Sequence, residues 1–215
     1  VKRLMAHLAP SKRSKVLDLA CGKGRHSKHL HTLGMEVIGV DLSDESIAEA
    51  KLMETDGLEF FVNDMRHLFW NEHFDLVVNL FTSFGYFHNA DDDQSTISSV
   101  ADSLKTNGRF VIDFMNAVKV EENLVLSESK ELDGIQFEIS REVENGIIIK
   151  RIHVTDGDNE FDFEEQVDAL RLEHFRDYFK VAGLEIEDTF GNYRLEPFDE
   201  KTSDRLIIVA KKPEA

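Results

Sequence analysis

The residues best placed for chemistry lie between Val16 and Ser27, in the run Val-Leu-Asp-Leu-Ala-Cys-Gly-Lys-Gly-Arg-His-Ser. An apolar strand enters a turn with glycine at 22 and 24 and continues into a helix, so backbone N–H groups can approach a ligand with no Cβ in the way. This is the design of a nucleotide-cofactor loop. Two details separate it from the dinucleotide pattern Gly-x-Gly-x-x-Gly. Asp18 stands inside the strand, three residues before Cys21, and Ser27 occupies the place of the third glycine. About twenty residues after the loop, Asp41 ends the next apolar run, where a carboxylate can accept both hydroxyls of a ribose. Asp64 ends the run after that.

These positions need strands to hold them. Apolar runs and turn residues predict strands over 15–20, 36–40, 58–63, 74–81 and 109–114. A short helix is expected at the N-terminus, and another over 25–33 stopped by Gly34. Ser43 caps a third, with Asp44 and Glu45 in its first turn. Asp91, Asp92 and Asp93 open a further helix, whose Ile97, Val100, Ala101 and Leu104 form one apolar face and which Asn107-Gly108 ends. Strands alternating with helices at this spacing predict a doubly wound α/β sheet with right-handed crossovers.

After residue 127 the texture changes. Strand-like runs over 128–132, 135–143, 147–154 and 160–169 are separated by Asp133-Gly134, Asn145-Gly146 and Asp156-Gly157, all hairpin-turn dipeptides. This predicts an antiparallel meander with one apolar face. Such a sheet is not stable alone, so the face is expected against the main domain or another subunit. A helix over 170–182, ended by Gly183, and an antiparallel pair over 184–189 and 205–211 complete the chain.

With 215 residues the chain suits one domain, 1–215, carrying an insert at about 127–169. No apolar run approaches a membrane span of about 20 residues. The start of the chain lacks the long apolar region of a signal peptide, and the absence of an initiator Met suggests a missing leading segment. A single cysteine excludes an internal disulfide framework and fits a reducing cytoplasm. A net charge of -17 opposes binding to nucleic acid. The basic pairs at 2–3, 12–13 and 211–212 are too short to reverse this. His26, His29 and His31 lack the ligand spacing of a metal site, so no metal is expected. Met53 and Trp70 read as packing residues.

Taken together, these motifs resemble the class I S-adenosylmethionine (SAM) dependent methyltransferases, over about 14–115 and again in the last helix and hairpin. The stretches that carry the resemblance are Val-Leu-Asp-Leu-Ala-Cys-Gly-Lys-Gly, Val-Ile-Gly-Val-Asp-Leu-Ser, Phe-Val-Asn-Asp-Met-Arg and Phe-Asp-Leu-Val-Val-Asn-Leu-Phe-Thr-Ser-Phe-Gly-Tyr. The resemblance implies a mostly parallel seven-stranded Rossmann-like sheet with its last strand reversed. It implies a cofactor site in which Asp18, Ala20, Gly22 and Gly24 organise or pass close to the methionine part of SAM. Asp41 would hold the ribose and Leu42 pack on the adenine. Asp64 would accept the adenine N–H with Met65 beside it, and Leu80, Phe81 and Thr82 would flank the methyl group. S-adenosylhomocysteine would be the product.

The nucleic-acid branches fit poorly. The chain has Asn79-Leu-Phe-Thr-Ser-Phe-Gly where amino-methylating nucleic-acid enzymes carry Asp/Asn-Pro-Pro-Tyr/Phe, and Cys21, in the cofactor loop, is the only thiol. The insert and the Thr-Ser-Phe-Gly-Tyr stretch look like the small-molecule branch, which includes bacterial amino-sugar and glycine N-methyltransferase-like proteins. In that branch the insert serves the acceptor pocket or a dimer contact. The expectation is therefore a methyl acceptor that is a small molecule with an N or O atom, and a homodimer through the insert. Residues 113–116 depart from the amino-sugar group, so the sugar itself is not carried over. Acceptor-side candidates are Tyr86, His88, Asp113 and Asn116. Tyr86 offers a π face to a cation, and His88 can take a proton near neutral pH. Two rivals remain from sequence: a methyltransferase-like protein that binds without catalysis, and an NAD(P)-dependent oxidoreductase.

Overall fold

The computed structural model describes residues 1–214. Its core sheet takes five parallel strands from the first half of the chain: β1 (Lys15–Leu19), β2 (Glu36–Asp41), β3 (Leu58–Val62), β4 (Phe74–Asn79) and β5 (Leu104–Met115). Two strands from its end, β10 (Glu185–Phe190) and β11 (Arg205–Lys211), complete it. The spatial order is β10-β11-β5-β4-β1-β2-β3, and β11 runs antiparallel to both of its neighbours. Chain order reverses between β1 and β4, which opens a crevice at their carboxyl ends. This is the expected seven-stranded α/β architecture.

Central strands covered on both faces are apolar along their length, and alternate residues feed two cores. Leu17, Leu19, Val77, Ile112 and Phe114 pack under α4 (Ala90–Ser103) and α6 (Leu172–Ala182), with Phe175 and Phe179 of α6 fully buried. On the other face Val16, Val37, Phe60 and Val78 meet α1 (Lys2–Leu8), α2 (Arg25–Thr32) and α3 (Asp44–Lys51). Helix starts follow their capping residues: the Ser43 hydroxyl accepts from Ser46 N, and the Asn89 side chain from Asp91 N.

The larger departures from the expected boundaries lie around β4, α4 and β5, the others being shifts of one or two residues. Strand β4 stops at Asn79 rather than running to 81, because Phe81 and Thr82 both take left-handed backbone angles, φ +64° and +60°. Helix α4 ends at Ser103, and Leu104 already pairs with Phe74 as the first residue of β5. Residues 105–108 then bulge out, with Asn107 at φ +66°, before pairing resumes at Leu76 and Arg109. The short helix α5 (Ala117–Glu122) has no marked apolar periodicity and escapes sequence reading.

The insert is a separate antiparallel sheet of β6 (Ser127–Leu132), β7 (Ile135–Glu144), β8 (Ile147–Asp156) and β9 (Asn159–Asp168). Register puts Ile139, Ile152 and Phe163 in one row and Phe137, Val154 and Phe161 in the next, all on one face. The main domain does not cover that face: Leu132 is 65% exposed, Phe161 48% and Phe163 55%. At the root, Ile148 and Val167 are buried.

A polar cluster ties this root to the helices. Asp168 N donates to the Gly85 carbonyl, and its carboxylate pairs with His88 Nδ1 at 2.8 Å. Behind it Asp93 is 1% exposed; Tyr178 donates to its Oδ2 at 3.3 Å, while its Oδ1 has no partner among the described residues. Burial first, then the facing Asp168 carboxylate and the neighbouring Asp92, push Asp93 up to about 7, with His88 acting in the opposite sense. The folded chain thus holds this proton more tightly than the unfolded one. The site's contribution is complete below the ordinary 3.8 and is lost as pH rises through about 7. Asp93→Asn removes the charge, and at pH 8 it is expected to gain about 1 kcal/mol, or about 2–4 °C in Tm for a chain of this size. Thermal unfolding at pH 4 and pH 8 checks this: the gain must vanish at the lower pH.

Candidate functional site

The loop after β1 is shaped by one hydrogen bond. Asp18 is 2% exposed, and its Oδ2 accepts from Ser27 Oγ at 2.6 Å, linking the strand to the first turns of α2. Burial raises Asp18 to about 6 against the lowering effect of Ser27. The two departures from a dinucleotide loop are therefore partners. Ala20, Gly22 and Gly24 all have positive φ. A Cβ on Gly22 would meet nothing within 4 Å, so the backbone faces open space there. Gly24 differs from expectation: its Cβ would lie 2.6 Å from the Phe60 ring, so this glycine answers to packing rather than to a ligand. The Cys21 thiol is pushed far up by burial, with Asp18 and Asp41 adding to the effect, and is no nucleophile near neutral pH.

Strand ends β1 to β4 converge on a crevice of about 310 Å³ lined by Ala20, Asp41, Leu42, Asn63, Asp64, Met65, Phe81, Thr82, Ser83, Tyr86 and Phe87. Asp41 is anchored through Oδ2 to Gly22 N at 2.8 Å and through Oδ1 to Ser43 N at 2.9 Å. Each oxygen keeps acceptor capacity for a further donor. Leu42 is 66% exposed, an apolar surface left bare at the crevice wall.

Several expected residues are placed differently. Asp64 lines the crevice, but its Oδ1 accepts from Arg66 N and Nε, and its Oδ2 from Arg66 Nε and Nη2. That fork occupies the lone pairs expected to receive an adenine N–H, and it holds the carboxyl below its ordinary value. Leu80 is a buried core residue and lies off the crevice. Asp113, expected on the acceptor side, is 2% exposed and engaged by Phe81 N, Tyr193 Oη and Arg205 Nε. Asn116 is likewise 2% exposed, with Nδ2 donating to the carbonyls of Glu200 and Ser203. Neither lines the crevice; Asp113, like Leu80, lines a smaller cavity of about 30 Å³ shared with Phe81 and Tyr193.

Tyr86 lines the crevice and is 47% exposed. His88 lies two residues on, and the bond from its Nδ1 to Asp168 leaves Nε2 without a partner among the described residues. Sequence reading missed Asn63, Ser83 and Phe87, each beside a residue it had singled out. It also missed His26 and Tyr193, whose rings both stack with Phe81, at centroid distances of 5.1 and 5.8 Å. Tyr193 gives no local signal, because it lies in the loop between β10 and β11. His26 instead belongs to this aromatic stack and His31 Nδ1 to the Met35 carbonyl. Among the described residues no group of three His, Cys, Asp or Glu side chains is placed to hold a metal ion, and no helix is long and apolar enough to cross a membrane.

Comparison with known proteins agrees with this geometry. Residues 16–108 match the family described as Methyltransferase domain. The chain is 28% identical to a putative methyltransferase, YqeM, of Bacillus subtilis over 93% of its own length and 85% of the relative's. Among solved structures, a SAM-dependent methyltransferase from Clostridium acetobutylicum superposes with a TM-score of 0.86 at 25% identity, covering 99% of this chain and 89% of that one. The fold is also that of SAM-bound CalS10, an amino pentose methyltransferase from Micromonospora echinaspora, with a TM-score of 0.73 at 20% identity, covering 98% and 87%. Residues 16–108 thus match a methyltransferase domain, and the chain as a whole shares its fold, reversed last strand included, with SAM-dependent methyltransferases.

Proposed function

We propose that this chain binds SAM in the crevice at the ends of β1 to β4 and moves its methyl group to an N or O atom of a small molecule. The observation that carries this reading is the convergence of Ala20, Asp41, Leu42, Met65, Phe81 and Thr82, from four successive strand ends, on one crevice. When bound, the cofactor supplies an electrophilic methyl on a sulfonium, whose transfer is an in-line displacement that asks the protein for alignment rather than a nucleophile. The loop at Ala20 and Gly22 presents backbone to the ligand. Asp41 would accept the ribose hydroxyls, and Leu42 and Met65 would pack against the base. Tyr86 offers its π face beside the acceptor. His88, held through Nδ1 by Asp168 just beyond the crevice lining, would take the acceptor's proton through Nε2.

We further read the chain as one domain with its insert, working in the cytoplasm as a homodimer through the bare apolar face of the insert. Charge supports that choice of face. On it, Lys130, Arg141 and Lys150 balance Glu128, Asp156 and Glu165, whereas the opposite face sets Arg151 among Glu138, Glu142, Glu160, Asp162 and Glu164. Two copies of a chain carrying -17 repel one another, and a face of balanced charge weakens that repulsion most, while an isologous pairing needs a self-complementary patch.

Calorimetric titration with S-adenosylhomocysteine is expected to show micromolar binding, and NAD(H) none; binding of NAD(H) alone would overturn the reading. Asp41→Ala should fold normally and lose at least about tenfold in affinity, on the order of 1.4 kcal/mol. Sedimentation should find a dimer that Phe161→Asp with Phe163→Asp converts to monomer; a monomeric wild type removes the interface. For a small amine or alcohol that yields a methylated product, His88→Ala or Tyr86→Phe should slow turnover about tenfold or more. Unchanged rates in both variants would remove their assisting role.

A further inference from the structure

Phe81 and Thr82 border the crevice in a conformation that side chains resist. Two successive non-glycine residues at φ +64° and +60° are strained, and a β-branched threonine is a genuine outlier there. Such a backbone persists only where its surroundings hold it, and here the hold comes from distant parts of the chain. Phe81 N donates to Asp113 Oδ2 at 3.2 Å, and Thr82 N to the Asp113 carbonyl at 2.9 Å. Arg205, on β11, closes the arrangement. Its Nε donates to Asp113 Oδ1 at 2.8 Å, and its Nη2 to Thr82 Oγ1 at 2.9 Å and to the Asp113 carbonyl at 3.2 Å. The guanidinium lies 5.9 Å from the Tyr193 ring centroid, and Tyr193 in turn stacks on Phe81. Both members of the ion pair are shielded, with side-chain exposures of 19% and 3%. Neither Arg205 nor Asp113 lines the crevice.

We propose that Arg205 is a positioning residue for the cofactor crevice: through Asp113 and the Thr82 hydroxyl it imposes the left-handed turn that sets Phe81 and Thr82 against the ligand. The fork matters here, because a guanidinium can serve Asp113 and Thr82 at once in a fixed plane, which an ammonium cannot. This rests on the cofactor reading above and is tested separately from it. Wild-type binding of S-adenosylhomocysteine decides the cofactor; the variants decide Arg205.

Arg205→Ala is expected to fold and to bind S-adenosylhomocysteine about tenfold more weakly, with Arg205→Lys little better. Adding Thr82→Gly to Arg205→Ala supplies a residue that accepts positive φ without support, and should recover most of the lost affinity. Rescue of affinity by glycine beyond any accompanying rise in Tm is the mark of a backbone-positioning role, since a general gain in stability would move both together. If Arg205→Ala fails to fold, Thr82→Val removes only the hydroxyl partner of the fork and should weaken binding several-fold. A readout without ligand is amide hydrogen exchange over residues 80–85, which should quicken at least about tenfold in Arg205→Ala. Wild-type affinity in both Arg205→Ala and Thr82→Val, a deficit untouched by Thr82→Gly, or unchanged exchange would each overturn the assignment.

Discussion

The crevice depends first on the buried hydrogen bond between Ser27 Oγ and Asp18 Oδ2. It closes the path from β1 through the glycine turn into α2, so that the turn cannot swing away from the strand end. Burying a carboxylate is costly, and the rise of Asp18 to about 6 records that cost. A hydrogen bond to a charged group contributes about 1.5–3 kcal/mol, which offsets part of it. With the turn held there, Gly22 N reaches Asp41 and joins the ends of β1 and β2. Each later wall of the crevice is placed relative to this pair.

Phe60 extends the same constraint into the core. Its ring lies where a Cβ of Gly24 or Gly39 would sit, so α2 and β2 approach β3 only because both positions lack a side chain. The glycine spacing therefore records two situations, a positive φ facing open space at Gly22 and close packing at Gly24. A motif alone cannot separate them, since both appear as the same letter.

Strand and helix order was legible because apolar runs and capping residues report local physics: Ser43 and the acids after Asn89 sit where helix starts need them. The crevice acids were legible for the same reason, as polar residues ending apolar strands. What escaped depends on partners remote in sequence. Asp113 looked like an acceptor-side acid until Arg205 claimed it, and Asn116 until the carbonyls of Glu200 and Ser203 did. Asp64 was read correctly as a strand-end acid, yet its neighbour Arg66 consumes the lone pairs on which its role rested. The end of β4 was misplaced because nothing in Leu-Phe-Thr foretells a left-handed turn imposed from another strand.

The position of β11 gives the fold a temporal order. It lies inside the sheet, between β5 and β10, although it is the last strand in chain order. A ribosome that has released β1 to β5 has exposed the glycine loop and Asp41, but the slot beside β5 stays vacant until Arg205–Lys211 emerges. The turn at Phe81 and Thr82 is thus the last wall of the crevice to be fixed, because Arg205 arrives only with β11.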